Sequence, residues 1–362
     1  MIILGIETSC DETAAAIVEA DENRIQLLSN ISSTSLNLHA KTGGVVPEIA
    51  AREQLTCIIP VIKEALKQSE RKQEEIDAIA VTYGPGLIGS LLVGVETAKT
   101  LAYVWNKPII PVHHLFGHIY ANWISYVPIF PAIGLIVSGG HTDLILMKDH
   151  TVYAWLGGTR DDAAGEAIDK IGRELNFPYP AGAAFERAAL QGYPGTYQFP
   201  RPLLYDKQYD FSFSGLKTAA MREIQKLYAT IENSRKEVTY LTGVESKSEG
   251  KITVSNFPVQ VIDDIACGVQ GAIIDVLVYK TLEAAKAYQV KSLLLGGGVS
   301  ANQTLRDTFQ KKIIEENLQI TFHAPDKSLC TDNAAMIAVA GFYMGKKVPW
   351  QEVTANPELY FD

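Results

Sequence analysis

The amino-acid sequence predicts an α/β protein built from two similar halves. Apolar runs of strand length alternate with longer segments of helical periodicity, which is the pattern of layered α/β folds. Two strand–turn–strand units are the second observation, one at Met1 to Ala20 and the other at Ala132 to Lys148. Each combines an apolar run, a short polar turn and a return strand, so the pair indicates an internal duplication.

The other elements follow in chain order. IDAIAVTYG predicts a strand that runs into the turn GPGLIGS, followed by a helix from about Leu87 to Trp105. PIIPV predicts a short strand, and the histidine-rich stretch HHLFGHIYA begins the next helix. DDAAGEAIDKIGRELN and the segment from Val261 to Tyr288 are helical patterns. SLLLGGGVSANQTLRDTF predicts strand, glycine turn and helix, and CTDNAAMIAVAGFYM predicts a helix capped by Thr331 or Asp332.

One segment interrupts this alternation. Thr230 to Asn256 is polar, highly charged and weakly periodic. These properties predict an exposed loop or excursion.

Bulk properties bound the class of protein. With 362 residues, 47% of them apolar, the chain is long enough for two domains, and its net charge of -9 argues against binding nucleic acid through overall electrostatics. A local basic groove, or one supplied by a partner, could still bind nucleic acid. The four cysteines form no CxxC pair, so neither a disulfide scaffold nor a zinc ribbon is indicated. The opening MIILGIETS is unlike a signal peptide, and no apolar run is long enough to span a bilayer, so a soluble cytoplasmic protein is expected.

The stretch HHLFGHIYA contains three of the seven histidines. His114 and His118 are four positions apart, which on a helix puts both imidazoles on one face, able to share a metal, while His113 points elsewhere. An ordinary surface helix is the alternative. A metalloprotease of the HExxH type needs a glutamate directly after its first histidine, and Leu115 occupies that position.

Two glycine turns could approach an anion through their backbone N–H groups. SGGHT, at residues 138–142, lies between two strands and adds the hydroxyls of Ser138 and Thr142. GGGVSAN, at residues 296–302, lies between a strand and a helix and suits a nucleotide at the helix N-terminus. A plain hairpin turn and a tight strand-to-helix turn are the respective alternatives. GGGVSAN matches neither the Rossmann fingerprint nor a P-loop.

Among the acids, Asp11 stands out because it follows a buried strand in a tight turn, beside Glu12, and should point into a cleft. Asp332 begins a helix just after Cys330. The acids on the predicted helix face are Asp161, Asp162, Glu166 and Asp169, and most of them are expected to be structural. The turns YGPGLIGS and FSFSGLKTA are expected to serve packing and turn formation.

Together these segments carry a resemblance. GIETSCDET, GGVVPE, GPGLIGSLLVG, HHLFGH, SGGHT, DDAAGEAIDK, FSFSGLK, GGGVSAN and CTDNAAMIA occur in one order over almost the whole chain. The chain closely resembles the TsaD family, also called Gcp or YgjD, the tRNA threonylcarbamoyladenosine transferases, and its opening motifs look bacterial. The resemblance implies an actin-like (ASKHA) fold with two RNase H-like domains flanking a cleft. Residues 1–131 plus a C-terminal helix at about 333–362 would form one domain, and residues 132–332 the second, with an inserted excursion at about 230–256.

The resemblance also implies roles for single residues. It assigns the metal to His114, His118 and Asp332, and catalysis to Asp11. Its substrate-binding residues fall on Ser138, Gly139, Gly140, His141, Thr142, Asp169, Gly182, Glu186 and Asn302. The chain departs from the family at several points: Phe116 stands where members commonly carry an acid, Ala181 replaces the first glycine of the usual YPGG, the Thr230 to Asn256 segment is longer than expected, and the C-terminal tail shows no family pattern.

The implied activity is the transfer of a threonylcarbamoyl group from threonylcarbamoyl-AMP to the N6 amine of the adenosine 3′ of the anticodon, in tRNAs that read ANN codons. The product would be threonylcarbamoyladenosine (t6A), with release of AMP. The implied cofactor is one divalent metal per subunit, with Fe²⁺ favoured over Zn²⁺. The implied partners are tRNA, a TsaB-like paralogue and a TsaE-like ATPase. No association with a membrane is implied.

Two other functions are alternatives. An ATP-dependent kinase of the actin-like superfamily would turn over ATP on a small acceptor without a transition metal. A catalytically silent scaffold paralogue like TsaB would lack the paired histidines and the acid of CTDN, and this chain has both.

Overall fold

The computed structural model describes residues 1–21, 24–242 and 257–361. The strands in these ranges are β1 (Ile2–Glu7), β2 (Glu12–Ala20), β3 (Ile25–Thr34), β4 (Ala78–Gly84), β5 (Ile109–His113), β6 (Ala132–Val137), β7 (Thr142–Met147), β8 (Tyr153–Gly158), β9 (Ser292–Gly296) and β10 (Thr321–His323). The α-helices are α1 (Leu36–Thr42), α2 (Pro47–Gln68), α3 (Ile88–Trp105), α4 (His114–Tyr120), α5 (Ala164–Glu174), α6 (Gly182–Ala189), α7 (Ser214–Thr242), α8 (Val259–Ala287), α9 (Gln303–Glu315) and α10 (Ala334–Met344).

The strands form two five-stranded sheets with the same internal order. The first runs β3-β2-β1-β4-β5 and the second runs β8-β7-β6-β9-β10. In the first sheet β1 is antiparallel to β2 and parallel to β4. In the second sheet β6, the counterpart of β1, is likewise parallel to β9. This repeat confirms the predicted α/β class and actin-like fold, including the duplication that the two strand–turn–strand units indicated.

Helices cover both faces of the first sheet. Alternate residues of β1 belong to different cores, because side chains of a strand point to opposite faces in turn. Leu4 packs in a cluster with Ile58 of α2 and Val95 of α3. Ile3 packs in another cluster with Ile337 of α10. Burial on both faces explains why the sequence of β1 reads as a continuous apolar run.

The chain divides into two compact units. The larger comprises Met1–Ser138, Asp143–Gly157 and Thr281–Asp362, and the smaller comprises Gly139–Thr142 and Gly158–Lys280. Both sheets belong almost wholly to the larger unit. The domain boundaries expected from the resemblance, after residues 131 and 332, stay a prediction.

Helix α4 is held tightly inside the larger unit, and every one of its residues is buried. Its neighbours include β6, β9 and α10. Two glycines permit this close approach. A Cβ atom on Gly117 would lie 2.8 Å from Cδ1 of Ile337, and one on Gly296 would lie 2.6 Å from the carbonyl oxygen of His118. The position of α4 is therefore fixed by β9 on one side and α10 on the other.

In the smaller unit, one acid joins two of the sequence motifs. The carboxylate of Asp161 accepts hydrogen bonds from the hydroxyls of Ser212 and Ser214, at 2.6 and 2.7 Å. It also accepts bonds from the backbone amides of Phe213 and Ser214, at 2.8 and 3.1 Å. These bonds satisfy donors at the start of α7. The structural roles predicted for Asp161 and for the FSFSGLK turn are confirmed.

The exposed loop predicted from Thr230 is wrong as far as Thr242, because α7 continues without a break to that residue; an inserted excursion at about 230–256 stays a prediction. Its Glu, Arg and Lys residues rank among good helix formers. This part of the helix is highly polar and has no apolar stripe, so hydrophobic periodicity did not predict it. Residues 243–256, the rest of the predicted excursion, lie outside the described residues.

Across the described ranges, no helix combines the length and apolar character needed to cross a bilayer.

Asp161 gives a prediction about acid stability. Although burial raises the pKa of Asp161, the hydrogen bonds from Ser212, Ser214 and Phe213 lower it below its ordinary value. Such a carboxylate stabilises the fold above its unfolded pKa of about 4, and this stabilisation is lost as the pH falls through the folded pKa. Asp161→Ala should therefore lower the free energy of unfolding at pH 7 by about 1–2 kcal/mol. The difference from the unsubstituted protein should persist at pH 5 and shrink below about pH 4. Urea denaturation across this range measures it, and a difference that grows on acidification would contradict the assignment.

Gly296 gives a prediction about packing. In Gly296→Ala the new methyl group would meet the backbone of His118, which cannot rotate away. The free energy of unfolding should fall by about 1–3 kcal/mol, as in overpacked cores. Gly298→Ala is the matched control, because the nearest atom to its Cβ would be Cγ2 of Thr331 at 4.0 Å. Equal effects of the two substitutions in thermal or urea denaturation would show that α4 is not tightly held.

Candidate metal centre and transfer site

Helix α4 presents His114 and His118 on one face. The two rings are in edge contact, with centroids 4.7 Å apart, and both side chains are buried. His113 precedes the helix as its N-cap, where its Nδ1 accepts the backbone N–H of Leu115. The structure thus pairs the two histidines chosen from the sequence and gives the third a structural role.

Asp332 completes the group from a distant part of the sequence. Its Oδ1 lies 3.6 Å from Nε2 of His114 and 3.3 Å from Nε2 of His118. One ligand atom from each of the three residues lies within 4.8 Å of the others. Two imidazole nitrogens and one carboxylate oxygen at such separations form a group that could hold a metal ion.

The cap of α10 differs from the prediction. Neither Thr331 nor Asp332 caps the helix; Asn333 does, through an Oδ1 that accepts the N–H of Met336 at 3.0 Å. The side-chain amide of Asn333 also donates to the carbonyls of Leu329 and Thr331. Asp332 precedes this cap by one residue and places Oδ1 near both histidines.

The electrostatics of this group suit a cation. Burial alone would lower the pKa of His114, but the carboxylates of Glu7 and Asp332 raise it to about 9. Burial, with the charges of Asp332 and Asp11, raises the pKa of Glu12 to about 10. Several carboxyl groups therefore share a poorly solvated region, and their mutual repulsion would be relieved by a divalent ion. The residues present fit a metal.

Sequence reasoning missed Glu7. It is the last residue of β1, is fully buried, and places Oε2 3.1 Å from Nδ1 of His114. The signal was present, since ILGIE ends an otherwise apolar strand with an acid, and buried acids are rare without a partner.

Asp11 lies in the turn between β1 and β2. Its backbone carbonyl accepts both the N–H and the hydroxyl of Ser35, which anchors the turn. Its charge acts on Cys10 and Glu12. Asp11 thus belongs to the same group of acids as Asp332, while its catalytic role stays a prediction.

The SGGHT turn joins β6 to β7. Gly139 and Gly140 are exposed, and a Cβ on either would meet no atom within 4 Å. Ser138 and His141 are half-buried. Thr142 differs from the other four because it is fully buried and its hydroxyl accepts the N–H of Ala164 at 3.0 Å. Its side chain therefore orders the start of α5.

The remaining predicted substrate contacts lie at helix termini or on helices. In the smaller unit, Asp169 of α5 accepts the N–H of Ala181 at 2.7 Å, one residue before α6 begins at Gly182, and Glu186 lies on α6. In the larger unit, Asn302 is the N-cap of α9 and accepts the N–H of Leu305 at 2.9 Å. Their contacts with substrate stay predictions.

The chain is similar to several known proteins. The family profile of TsaD, described as tRNA N6-adenosine threonylcarbamoyltransferase, matches residues 26–339. A protein of that name from Thermomicrobium roseum is 48% identical over 354 residues, covering 96% of this chain and 93% of its own. One from Anoxybacillus flavithermus is 45% identical over 362 residues, covering 99% and 97%. Among solved structures, component A of (R)-2-hydroxyglutaryl-CoA dehydratase from Acidaminococcus fermentans is 14% identical with a TM-score of 0.49, covering 94% of this chain and 96% of its own.

The resemblance seen in the motifs is therefore confirmed at the level of the whole chain. The identity is well above 30% and extends over nearly the full length of both curated relatives. This chain is a transferase and belongs to the tRNA N6-adenosine threonylcarbamoyltransferase family.

Proposed function

We propose that this chain transfers the threonylcarbamoyl group of threonylcarbamoyl-AMP to the N6 amine of the adenosine 3′ of the anticodon, in tRNAs that read ANN codons. The product is t6A, and AMP is released. The observation that carries the proposal is the convergence of His114, His118 and Asp332 in a chain of this family.

The reaction is an acyl transfer. The N6 amine attacks the carbamoyl carbonyl carbon, so a C–N bond forms and the C–O bond to the phosphate of AMP breaks. The amine gives up one proton, and the bonding electrons leave with AMP. Asp11, in the turn after β1, is the residue proposed to accept that proton or to orient the amine.

His114, His118 and Asp332 are the proposed ligands of one divalent ion. Their donor set suits Fe²⁺ or Zn²⁺, and the family resemblance favours Fe²⁺. Bound there, the ion would supply a Lewis acid that polarises the carbonyl and neutralises the charge of the leaving phosphate. Both imidazoles are buried, whereas Asp332 is partly exposed.

The glycine turns are proposed to bind the donor. Gly139 and Gly140 leave open space beside their backbone, where an anionic group could approach the amides of SGGHT. Ser138 and His141 add side-chain donors to the same turn. Thr142 would contribute through the order it imposes on α5, since its hydroxyl is already bonded. Asp169, Gly182, Glu186 and Asn302 complete the proposed set.

Partners are proposed from charge and from an apolar surface. A chain at net charge -9 binds the phosphates of tRNA poorly by itself, so a TsaB-like paralogue and a TsaE-like ATPase are expected to assist.

Helices α2 and α3 pack together and each exposes two apolar residues one turn apart. These residues are Leu55, Ile59, Ile88 and Leu92. Such a patch marks a protein interface, and we assign it to the TsaB-like paralogue.

The transfer itself is tested by incubating the full chain with threonylcarbamoyl-AMP, unmodified tRNA and the purified partners, then analysing the tRNA nucleosides. The unsubstituted chain should form t6A, whereas His118→Ala should lose bound metal and abolish t6A formation, because a ligand is removed. His323→Ala, on β10, is the matched control and should change neither quantity. Absence of t6A with partners shown to be competent would refute the proposal. Full metal content in His118→Ala would refute the ligand assignment.

The partner surface is tested by Leu55→Asp. A charge in the apolar patch should weaken binding to the TsaB-like paralogue by at least about tenfold, without unfolding a chain in which Leu55 is exposed. Ile314→Asp is the control, because Ile314 is also exposed, on α9. Calorimetric titration measures both, and similar affinities for the two variants would place the interface elsewhere.

A further inference from the structure

Glu7 is a carboxylate in the interior of the larger unit. It ends β1, the central strand of the first sheet, and is 0% exposed. A buried charge of this kind is costly unless hydrogen bonds or a counter-charge compensate for lost solvation. The groups that contact Glu7 therefore indicate which interaction the buried carboxylate serves.

Three contacts hold the two carboxylate oxygens of Glu7 in place. Oε1 accepts the backbone N–H of Ser9 at 2.5 Å. Oε2 accepts the hydroxyl of Thr82 at 2.5 Å and lies 3.1 Å from Nδ1 of His114. Thr82 belongs to β4, which pairs in parallel with β1, so sheet register fixes this donor beside Glu7. The carboxylate is immobilised with one oxygen directed at an imidazole.

This contact decides which nitrogen of His114 can bind a metal. A neutral imidazole carries one N–H, and the carboxylate stabilises the tautomer in which Nδ1 is the donor. The lone pair is then on Nε2, the atom that faces Asp332 at 3.6 Å. The hydroxyl of Ser9, 3.2 Å from Nδ1, supports the same orientation.

His118 has no equivalent support. Its Nδ1 is buried and, within the described part of the chain, has no hydrogen-bond partner. Its Nε2 lies 3.3 Å from the same oxygen of Asp332. Both histidines thus direct Nε2 at Asp332. They differ at Nδ1, which contacts Glu7 in His114 and has no hydrogen-bond partner among the described residues in His118.

We propose that Glu7 is the positioning residue of the metal centre. Held by Thr82 and by the amide of Ser9, it fixes the tautomer and orientation of His114 and makes that imidazole the stronger of the two histidine ligands. A carboxylate behind a ligating histidine raises the basicity of the ligand and restricts its ring. This inference rests on the metal site of the proposed function.

The test measures metal binding directly, with Zn²⁺ as a redox-stable probe. The full chain, Glu7→Gln and Thr82→Val are each titrated in competition with a chromogenic chelator at constant pH. Glu7→Gln should bind Zn²⁺ about 10- to 100-fold more weakly, the usual effect of losing such a partner. Thr82→Val should weaken binding about fivefold, because it removes one hydrogen bond to Glu7. Glu19→Gln, the same change on the half-exposed β2 residue that pairs with Arg71, should leave the affinity unchanged.

A second readout separates positioning from general damage. Long-range ¹H–¹⁵N spectra of the Zn²⁺-loaded chain should show His114 bound through Nε2 with a proton on Nδ1, and that Nδ1 proton signal should shift or broaden in Glu7→Gln. Circular dichroism should show unchanged helix content in Thr82→Val, which carries the test should Glu7→Gln fail to fold.

The outcomes distinguish two kinds of failure. If the unsubstituted chain binds Zn²⁺ and both variants bind it within about twofold of that affinity, Glu7 has no positioning role while the metal site survives. If the unsubstituted chain binds no Zn²⁺, the metal site of the proposed function fails and the inference falls with it.

Discussion

The candidate metal centre depends on one packing constraint, the confinement of α4 between β9 and α10. Gly296 on the strand is the stricter requirement, because a Cβ there would meet the backbone of His118, whereas Gly117 on the helix lets the side chain of Ile337 approach closely. Because α4 is buried between these elements, the packing favours the orientation in which His114 and His118 face Asp332. Asp332 is brought there by the same helix, one residue before the cap at Asn333. A wholly buried element thus fixes distances between side chains that are over two hundred positions apart.

Electrostatics add a second constraint to the same region. Glu7, Asp11, Glu12 and Asp332 come from the first hairpin and from the start of α10, and their charges act on one another or on His114. Such a group is poorly stabilised by itself, because burial and like charge both favour the protonated carboxyl groups. A divalent ion would reverse that preference. The fold therefore keeps acids together at some cost in stability, as expected of a site built for a cation.

Much of the fold could be predicted from the sequence because the signals were local. Strand and helix periodicity gave the α/β class, and the two strand–turn–strand units indicated the repeated sheet. The pairing of His114 with His118 followed from helical spacing. The assignment of Asp332 came from family resemblance, because no local pattern links residues so distant in the chain. Three features escaped: the helix through Thr242, which lacks an apolar stripe; the cap at Asn333, where three adjacent polar residues were equally eligible; and the contact of Glu7 with His114, which depends on tertiary packing.

The most direct measurement is anomalous X-ray scattering from crystals of the full chain loaded with Fe²⁺ or Zn²⁺, with data collected on both sides of the absorption edge of the metal. We expect one anomalous peak about 2.0–2.2 Å from Nε2 of His114, Nε2 of His118 and a carboxylate oxygen of Asp332. A peak at another position, or none in a protein whose metal content is one ion per chain, would contradict it.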